Sequence, residues 1–73
     1  MPIIQKEILN HLYKLKSNYA NPVNSSELGR LLNVTPSYIR EQARKLQKEG
    51  YVSVRKGPGG GYFLSIKGGY KCR

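Results

Sequence analysis

Residues 34–46 read VTPSYIREQARKL, and this stretch determines how the rest of the chain is interpreted. Thr35 is a favoured N-cap residue and Pro36 is well tolerated at the first helical position, so a helix is expected to begin here. Gly50 is expected to end it, because glycine readily adopts the left-handed conformation that follows many helices. The inner face of this predicted helix is apolar at helical spacing: Ile39, Ala43 and Leu46.

A second, shorter helix is predicted immediately before it. Asn24 can cap this helix, and Glu27 follows at the spacing of a capping box. Its buried face is supplied by Leu28, Leu31 and Leu32. It ends near Asn33, so only two or three residues separate the two helices. The pair must turn sharply and is predicted to form a helix-turn-helix.

The apolar pattern before residue 20 predicts one amphipathic helix, over about residues 3–18. Its apolar residues recur every three or four positions: Ile4, Ile8, Leu12, Leu15 and Tyr19. Residues 18–22 are polar and contain a proline, so we expect a loop there.

Two β-strands are predicted after the helix pair. Residues 51–54 and 62–66 are rich in strand-forming residues, and their side chains alternate in the pattern of a β-strand. A basic, glycine-rich connection over residues 55–61 joins the two strands as a hairpin. The face that we assign to the core carries Tyr62, Leu64 and Ile66. Phe63 then faces outward. The predicted fold class is mainly α with a small β-hairpin, a winged helix-turn-helix in the order helix, helix, helix, strand, strand.

The chain has 73 residues, enough for one domain but not for two. We assign residues 1–67 to the winged helix-turn-helix domain and residues 68–73 to a basic, flexible tail. The sequence has no apolar run of roughly 18–20 residues and no signal-peptide pattern, so we expect a cytoplasmic, nucleoid-associated protein without a membrane partner. The single cysteine, Cys72, excludes an internal disulfide framework and a cysteine-based zinc site.

The sequence carries 13 lysines and arginines against 4 acidic residues, a net charge of +9. Nine of the basic residues and only two glutamates lie in residues 40–73, which gives that part of the chain +7. Such a concentration of charge indicates a polyanionic partner, with nucleic acid favoured over an anionic membrane surface. The sequence offers neither a metal-ligand cluster nor a nucleophile–base pair, so we expect no enzymatic activity, no metal site and no cofactor.

The predicted helix that begins at Pro36 is the candidate recognition helix, and it carries polar residues at its outer and N-terminal positions. An α-helix fits the DNA major groove. There Arg40 or Arg44 can donate hydrogen bonds to two atoms of one guanine, and Glu41 can accept a hydrogen bond from cytosine. The candidate DNA-binding residues of this helix and its cap are Thr35, Ser37, Tyr38, Arg40, Glu41, Arg44, Lys45 and Lys48. The alternative is that they are ordinary exposed helix residues, with Glu41 and Lys45 as an i,i+4 pair.

The glycine-rich connection is the second candidate contact. Arg55 and Lys56 can reach phosphates or the adjacent minor groove. Gly57, Gly59 and Gly60 let the backbone come close to DNA. A nucleotide-binding phosphate loop fits poorly, because no Gly-Lys-Ser/Thr motif and no helix follow the glycines. A hairpin loop without a binding role is the remaining alternative.

Three stretches of the sequence resemble a known family. VTPSYIREQARKL at 34–46, EGYV at 49–52 and GPGGGYFL at 57–64 look like the winged-helix bacterial repressors that include the iron–sulfur cluster regulator, the nitric-oxide-sensitive repressor and a cysteine-metabolism repressor. The resemblance covers about residues 20–66. It implies DNA binding through Thr35, Ser37, Tyr38 and Arg40 in the helix and through Arg55 and Lys56 in the wing.

The members of that family continue past the wing with cluster-ligand cysteines and a long dimerisation helix, and the sequence up to residue 73 resembles neither. We therefore do not expect cluster sensing or that mode of dimerisation to carry over. A homodimer on a palindromic site remains compatible with a helix-turn-helix.

The sequence thus predicts a sequence-preferring, double-stranded DNA-binding protein, a small transcriptional regulator. Two alternatives stay open. A protein-interaction winged helix, such as an adaptor or anti-repressor, would bind an acidic protein partner through Phe63 and the tyrosines. An RNA or single-strand binder would stack bases on Tyr38, Tyr62 or Tyr70.

Overall fold

A computed structural model describes residues 1–71 of the protein. Its elements are α1 (Ile3–Lys14), α2 (Ser25–Leu32), α3 (Pro36–Lys48), β1 (Val52–Arg55), β2 (Gly61–Leu64) and α4 (Ile66–Lys71). Three helices followed by an antiparallel hairpin confirm the predicted winged helix-turn-helix. None of the helices in this part of the chain is long and apolar enough to cross a membrane. Cys72 and Arg73 lie outside the described residues.

The first helix is shorter than its apolar period predicts, because α1 ends at Lys14 and not near residue 18. Lys16 adopts a left-handed backbone conformation with φ of 54°, which turns the chain out of the helix. The hydroxyl of Ser17 then donates to the carbonyl of Leu12 and accepts from the backbone N–H of Leu64. The end of α1 is thereby tied to β2. Leu15 and Tyr19, expected on the buried face of this helix, are 48% and 66% exposed.

The caps predicted for the helix-turn-helix are confirmed. The side-chain oxygen of Asn24 accepts a hydrogen bond of 2.8 Å from the backbone N–H of Glu27. The hydroxyl of Thr35 accepts one of 3.2 Å from the backbone N–H of Tyr38. Between the helices, Asn33 is left-handed with φ of 59°. Gly29 allows the tight turn, because a Cβ there would lie 2.6 Å from the carbonyl oxygen of Val34.

The two strands, β1 and β2, and the connecting residues 56–60 form the wing. The strands pair antiparallel, with Val52 opposite Leu64 and Arg55 opposite Gly61. On its other edge, β2 exchanges two backbone hydrogen bonds of 2.8 Å with Val23, just before α2. The base of the wing is therefore anchored to the chain that leads into the helix-turn-helix.

The core lies between the three long helices and the base of the wing. The buried hydrophobic residues are Ile8, Leu9, Leu12, Val23, Leu28, Ile39, Ala43, Leu46 and Val52. Tyr62 and Leu64 pack against this cluster, as the alternation in the second strand predicts. The prediction is wrong for Ile66, which is 81% exposed, because the chain leaves the strand at Ser65 and begins α4.

Helix α4 replaces the flexible segment expected after residue 67. The hydroxyl of Ser65 accepts from the backbone N–H of Gly68 and donates to the carbonyl of Gly50, so it caps α4 and ties it to the end of α3. Gly68 is buried against the backbone of Tyr51, where a Cβ would lie 2.0 Å from the carbonyl oxygen. A flexible tail was expected here because the segment is basic, contains glycines and is terminal in the sequence.

Candidate nucleic-acid interface

Helix α3 has two opposite faces. Ile39, Gln42, Ala43 and Leu46 form its buried face. A second set of side chains recurs with the helical period and lines an open groove that we call the outer face of α3: Ser37, Arg40, Glu41, Arg44, Lys45 and Lys48. All six residues are exposed. The structure thus brings together six of the eight candidates from the helix and its cap on one continuous surface.

Arg40 is held at the junction of the two helices of the helix-turn-helix. One guanidinium nitrogen donates to the hydroxyl of Ser25, the first residue of α2, at 3.3 Å. The other terminal nitrogen donates to the hydroxyl of Ser37 at 3.1 Å. Two contacts to neutral hydroxyls orient the guanidinium and leave its charge uncompensated.

The positive charge of the outer face is not neutralised within the described part of the chain. The ion pair that the structure shows within residues 1–71 lies elsewhere and joins Arg30 to Glu27, both in α2. Glu41 forms no salt bridge with Lys45 among these residues, although the i,i+4 spacing would allow one. The exposed groups of Arg44, Lys45 and Lys48 therefore present net positive charge to solvent.

Thr35 and Tyr38 lie at the start of α3, beside the outer face. The hydroxyl of Thr35 is engaged in capping the helix. Tyr38 is 38% exposed. Its ring is thus available to an external partner, whereas Thr35 serves the local fold in the free protein.

The wing loop, residues 56–60, owes its shape to glycine. Gly57 and Gly59 have φ of 99° and 72°, which side-chain-bearing residues rarely adopt. Gly60 approaches the protein's own backbone, since a Cβ there would lie 2.1 Å from the carbonyl oxygen of Arg55. In the free protein the glycines thus build the loop itself. Lys56 stands exposed on it.

The half-buried side chain of Arg55 is bonded to the protein's own backbone. Its guanidinium donates to the carbonyls of Tyr19 at 2.8 Å, Ala20 at 3.4 Å and Gly59 at 2.8 Å. Sequence reasoning grouped Arg55 with Lys56 as a phosphate contact and missed Tyr19 as part of the wing's support. No local pattern could have revealed this contact, because the two residues are 36 positions apart.

Phe63 also has a contact that the sequence did not reveal. Its ring packs edge-to-face against that of Tyr19, with the centroids 6.0 Å apart. The outward orientation predicted for Phe63 is thus explained by a neighbour within the chain, and Phe63 is only partly exposed.

Lys67, the last residue of the predicted domain, lies against the end of α3. Its ammonium donates to the carbonyl of Glu49 at 2.8 Å and lies 4.7 Å from the centre of the Tyr51 ring. A cation at this end of a helix stabilises the helix dipole. Lys67 thus has a structural role in the free domain. Residues 1–71 contain no group of three or more His, Cys, Asp or Glu side chains arranged to hold a metal ion.

Comparison with known proteins identifies the family. Residues 6–69 match the model of the Rrf2 family, described as an iron-dependent transcriptional regulator. The chain belongs to the Rrf2 family. This agrees with the resemblance carried by residues 34–46, 49–52 and 57–64 of the sequence. A solved structure from Lactobacillus plantarum, described as that of a candidate transcriptional regulator, is similar to this Rrf2 domain with a TM-score of 0.68 and 29% identity.

Two curated proteins of the archaeon Methanocaldococcus jannaschii are also similar to it. One is an uncharacterized HTH-type transcriptional regulator, 33% identical over 63 residues, and the match covers 86% of this chain and 49% of the relative. The other is an uncharacterized protein, 34% identical over 67 residues, with 92% of this chain and 23% of the relative covered. The Lactobacillus match covers 90% of this chain and 44% of that protein. The chain thus spans at most about half the length of these relatives.

Proposed function

We propose that this chain is a double-stranded DNA-binding unit of a transcriptional regulator, with α3 in the major groove and the wing on the adjacent backbone or minor groove. The observation that carries the proposal is the outer face of α3, a continuous basic surface on a helix whose opposite face is buried. Membership of the Rrf2 family of transcriptional regulators supports it independently. These relatives are not described as enzymes, and we propose no catalytic role.

The dimensions and chemistry of α3 suit the major groove. Its 13 residues make a rod about 20 Å long, and a helix fits the groove width of about 12 Å. Arg44 is the candidate for reading a base, because it is exposed and makes no ion pair with a described residue. Arg40, already held by two serine hydroxyls, suits a phosphate at the groove edge. Lys45 and Lys48 add positive charge along the helix.

The wing supplies a second, separate contact. Lys56 is exposed next to the glycines of the wing loop, where its ammonium can reach a phosphate or the minor groove. Contacts by helix and wing on two grooves would fix the register of the domain on the duplex. Action on chromosomal DNA in the cytoplasm follows from this proposal, as does a dimer if the preferred site is an inverted repeat.

The test is a selection from random duplexes followed by affinity measurements over a range of salt concentrations. If roughly five to seven phosphates are neutralised, we expect log–log slopes of about −4 to −6. The stoichiometry of the complex and the symmetry of the selected site would show whether a dimer binds. A flat salt response would overturn the proposal. Stronger binding of single strands, or of an acidic protein with no duplex bound, would favour one of the two alternatives from the sequence.

A further inference from the structure

The guanidinium of Arg55 joins three parts of the chain at one point. One terminal nitrogen donates to the carbonyls of Tyr19 and Ala20, in the loop between α1 and α2. The other donates to the carbonyl of Gly59, across the wing loop. Arg55 itself is the last residue of β1. Its side chain therefore spans the wing loop and fastens it to the α1–α2 loop.

Tyr19 reinforces this junction through its ring. The guanidinium carbon of Arg55 lies 5.6 Å from the ring centre, within the range of a cation–π contact. The other contact of the ring is its edge-to-face packing with Phe63 in β2. Tyr19 thus bridges the two strands of the wing from outside the sheet. Its 66% exposure shows that it covers the wing without belonging to the core.

A glycine-rich loop needs such support if it is to have one conformation. Glycine loses more conformational freedom on ordering than any other residue, and residues 57–61 contain four glycines. If the loop were mobile in the free protein, DNA would have to order it on binding, which weakens binding. Arg55 offers such support: one of its hydrogen bonds holds Gly59 of the loop, and the other two connect to Tyr19 and Ala20.

We propose that Arg55 is a positioning residue that holds the wing in its DNA-binding conformation, and that it acts through Lys56, whose ammonium makes the contact with DNA. This inference rests on the proposed function. Its basis is the division of labour between neighbours: the guanidinium of Arg55 is directed at three carbonyls, whereas Lys56 is exposed. Only arginine offers a planar fork that reaches acceptors in two loops at once.

Arg55→Lys separates this role from a direct phosphate contact. The variant keeps the positive charge, so a residue that only attracts a phosphate as a point charge would lose little. A residue that positions the wing loses its fork and releases the loop. Lys56→Ala is the matched variant, since it removes the exposed charge and leaves the junction with Tyr19 intact.

The first measurement uses the free protein and needs no DNA. Backbone 15N relaxation of residues 56–60 should report a rigid loop in the wild type and in Lys56→Ala, and a mobile loop in Arg55→Lys. Circular dichroism checks that the helices remain folded in each variant. A wing loop equally rigid in Arg55→Lys would overturn the proposal.

The second measurement is a double-mutant cycle on duplex affinity at one salt concentration. We expect Lys56→Ala and Arg55→Lys each to weaken binding by about tenfold, the loss of about one phosphate contact near 0.1 M salt. If Arg55 acts through Lys56, the double variant also loses only about tenfold. A loss of about a hundredfold would mean independent contacts and would overturn the proposal. A wild type that binds no duplex would instead refute the proposed function, while the relaxation data would still test the junction.

Discussion

The side-chain amide of Gln5 in α1 donates a hydrogen bond of 2.9 Å to the side-chain oxygen of Gln42 in α3, and both residues are buried. They are the buried polar side chains of the described part of the chain. Gln42 lies on the inner face of α3, opposite the basic outer face. Because a hydrogen bond requires a specific distance and direction, this pair, together with the apolar packing around it, fixes how α3 is rotated against α1. That rotation determines where Arg44 and its neighbours point.

Replacing one glutamine should cost more than replacing both. In Gln42→Leu the amide of Gln5 stays in the core without its partner, and we expect a loss of about 1–3 kcal/mol in the free energy of unfolding. In the double variant Gln5→Leu/Gln42→Leu neither polar group is left unsatisfied, so the loss should be smaller than in either single variant. Urea unfolding followed by circular dichroism measures all three. A double variant that loses the sum of the two single losses would contradict this account.

Adjacent glycines in α4 should respond in opposite directions to alanine. A Cβ at Gly68 would lie 2.0 Å from the carbonyl oxygen of Tyr51, so Gly68→Ala must displace α4 from the domain. At Gly69 the same Cβ meets no atom within 4 Å. Gly69→Ala should therefore gain about 0.5–1 kcal/mol from helix propensity. Thermal unfolding of the two variants is the measurement, and equal effects would show that α4 does not dock as described.

Features set by local chemistry could be predicted from the sequence. The side chains of Asn24 and Thr35 cap their helices as their positions predict, and Gly50 has the positive φ, 83°, expected after a helix. The outer face of α3 was also predictable, since a period of 3.6 residues assigns each side chain to a side. These features depend on residues no more than four positions apart.

Features that depend on distant residues could not be predicted in the same way. The spacing of Leu15 and Tyr19 continues the apolar period of α1, but the hydrogen bonds of Ser17 to Leu12 and Leu64 end the helix first. The position of the Arg55 guanidinium depends on carbonyls about 35 residues earlier in the chain. A sequence pattern cannot represent such contacts without the fold that produces them.

The N-cap of α3 can be tested by replacing Thr35, whose hydroxyl caps the helix. Thr35→Ala removes the hydroxyl that accepts from the backbone N–H of Tyr38, and we expect a loss of about 1 kcal/mol in stability. Thr35→Ser retains the hydroxyl and should lose much less. Comparing their urea midpoints separates the cap from the lost methyl group, and a serine variant as unstable as the alanine variant would argue against capping.

Arg44→Ala and Lys48→Ala should separate base recognition from backbone attraction. We expect Arg44→Ala to lose about 1–3 kcal/mol of discrimination at one base pair of the selected site, because a bidentate arginine–guanine contact is of that size. Lys48→Ala should weaken all duplexes alike and make the log–log salt slope shallower by about 0.9.

Lys14→Ala, a charge removal on α1 outside the outer face, is the matched control and should change neither the base preference nor the salt slope. Affinities for the selected duplex and for its single-base variants, measured at several salt concentrations, give both numbers for each variant. An unchanged base preference in Arg44→Ala would move the base-reading role to another residue of the outer face, whereas an equal effect of Lys14→Ala would mean that net charge alone, and not the outer face of α3, drives binding.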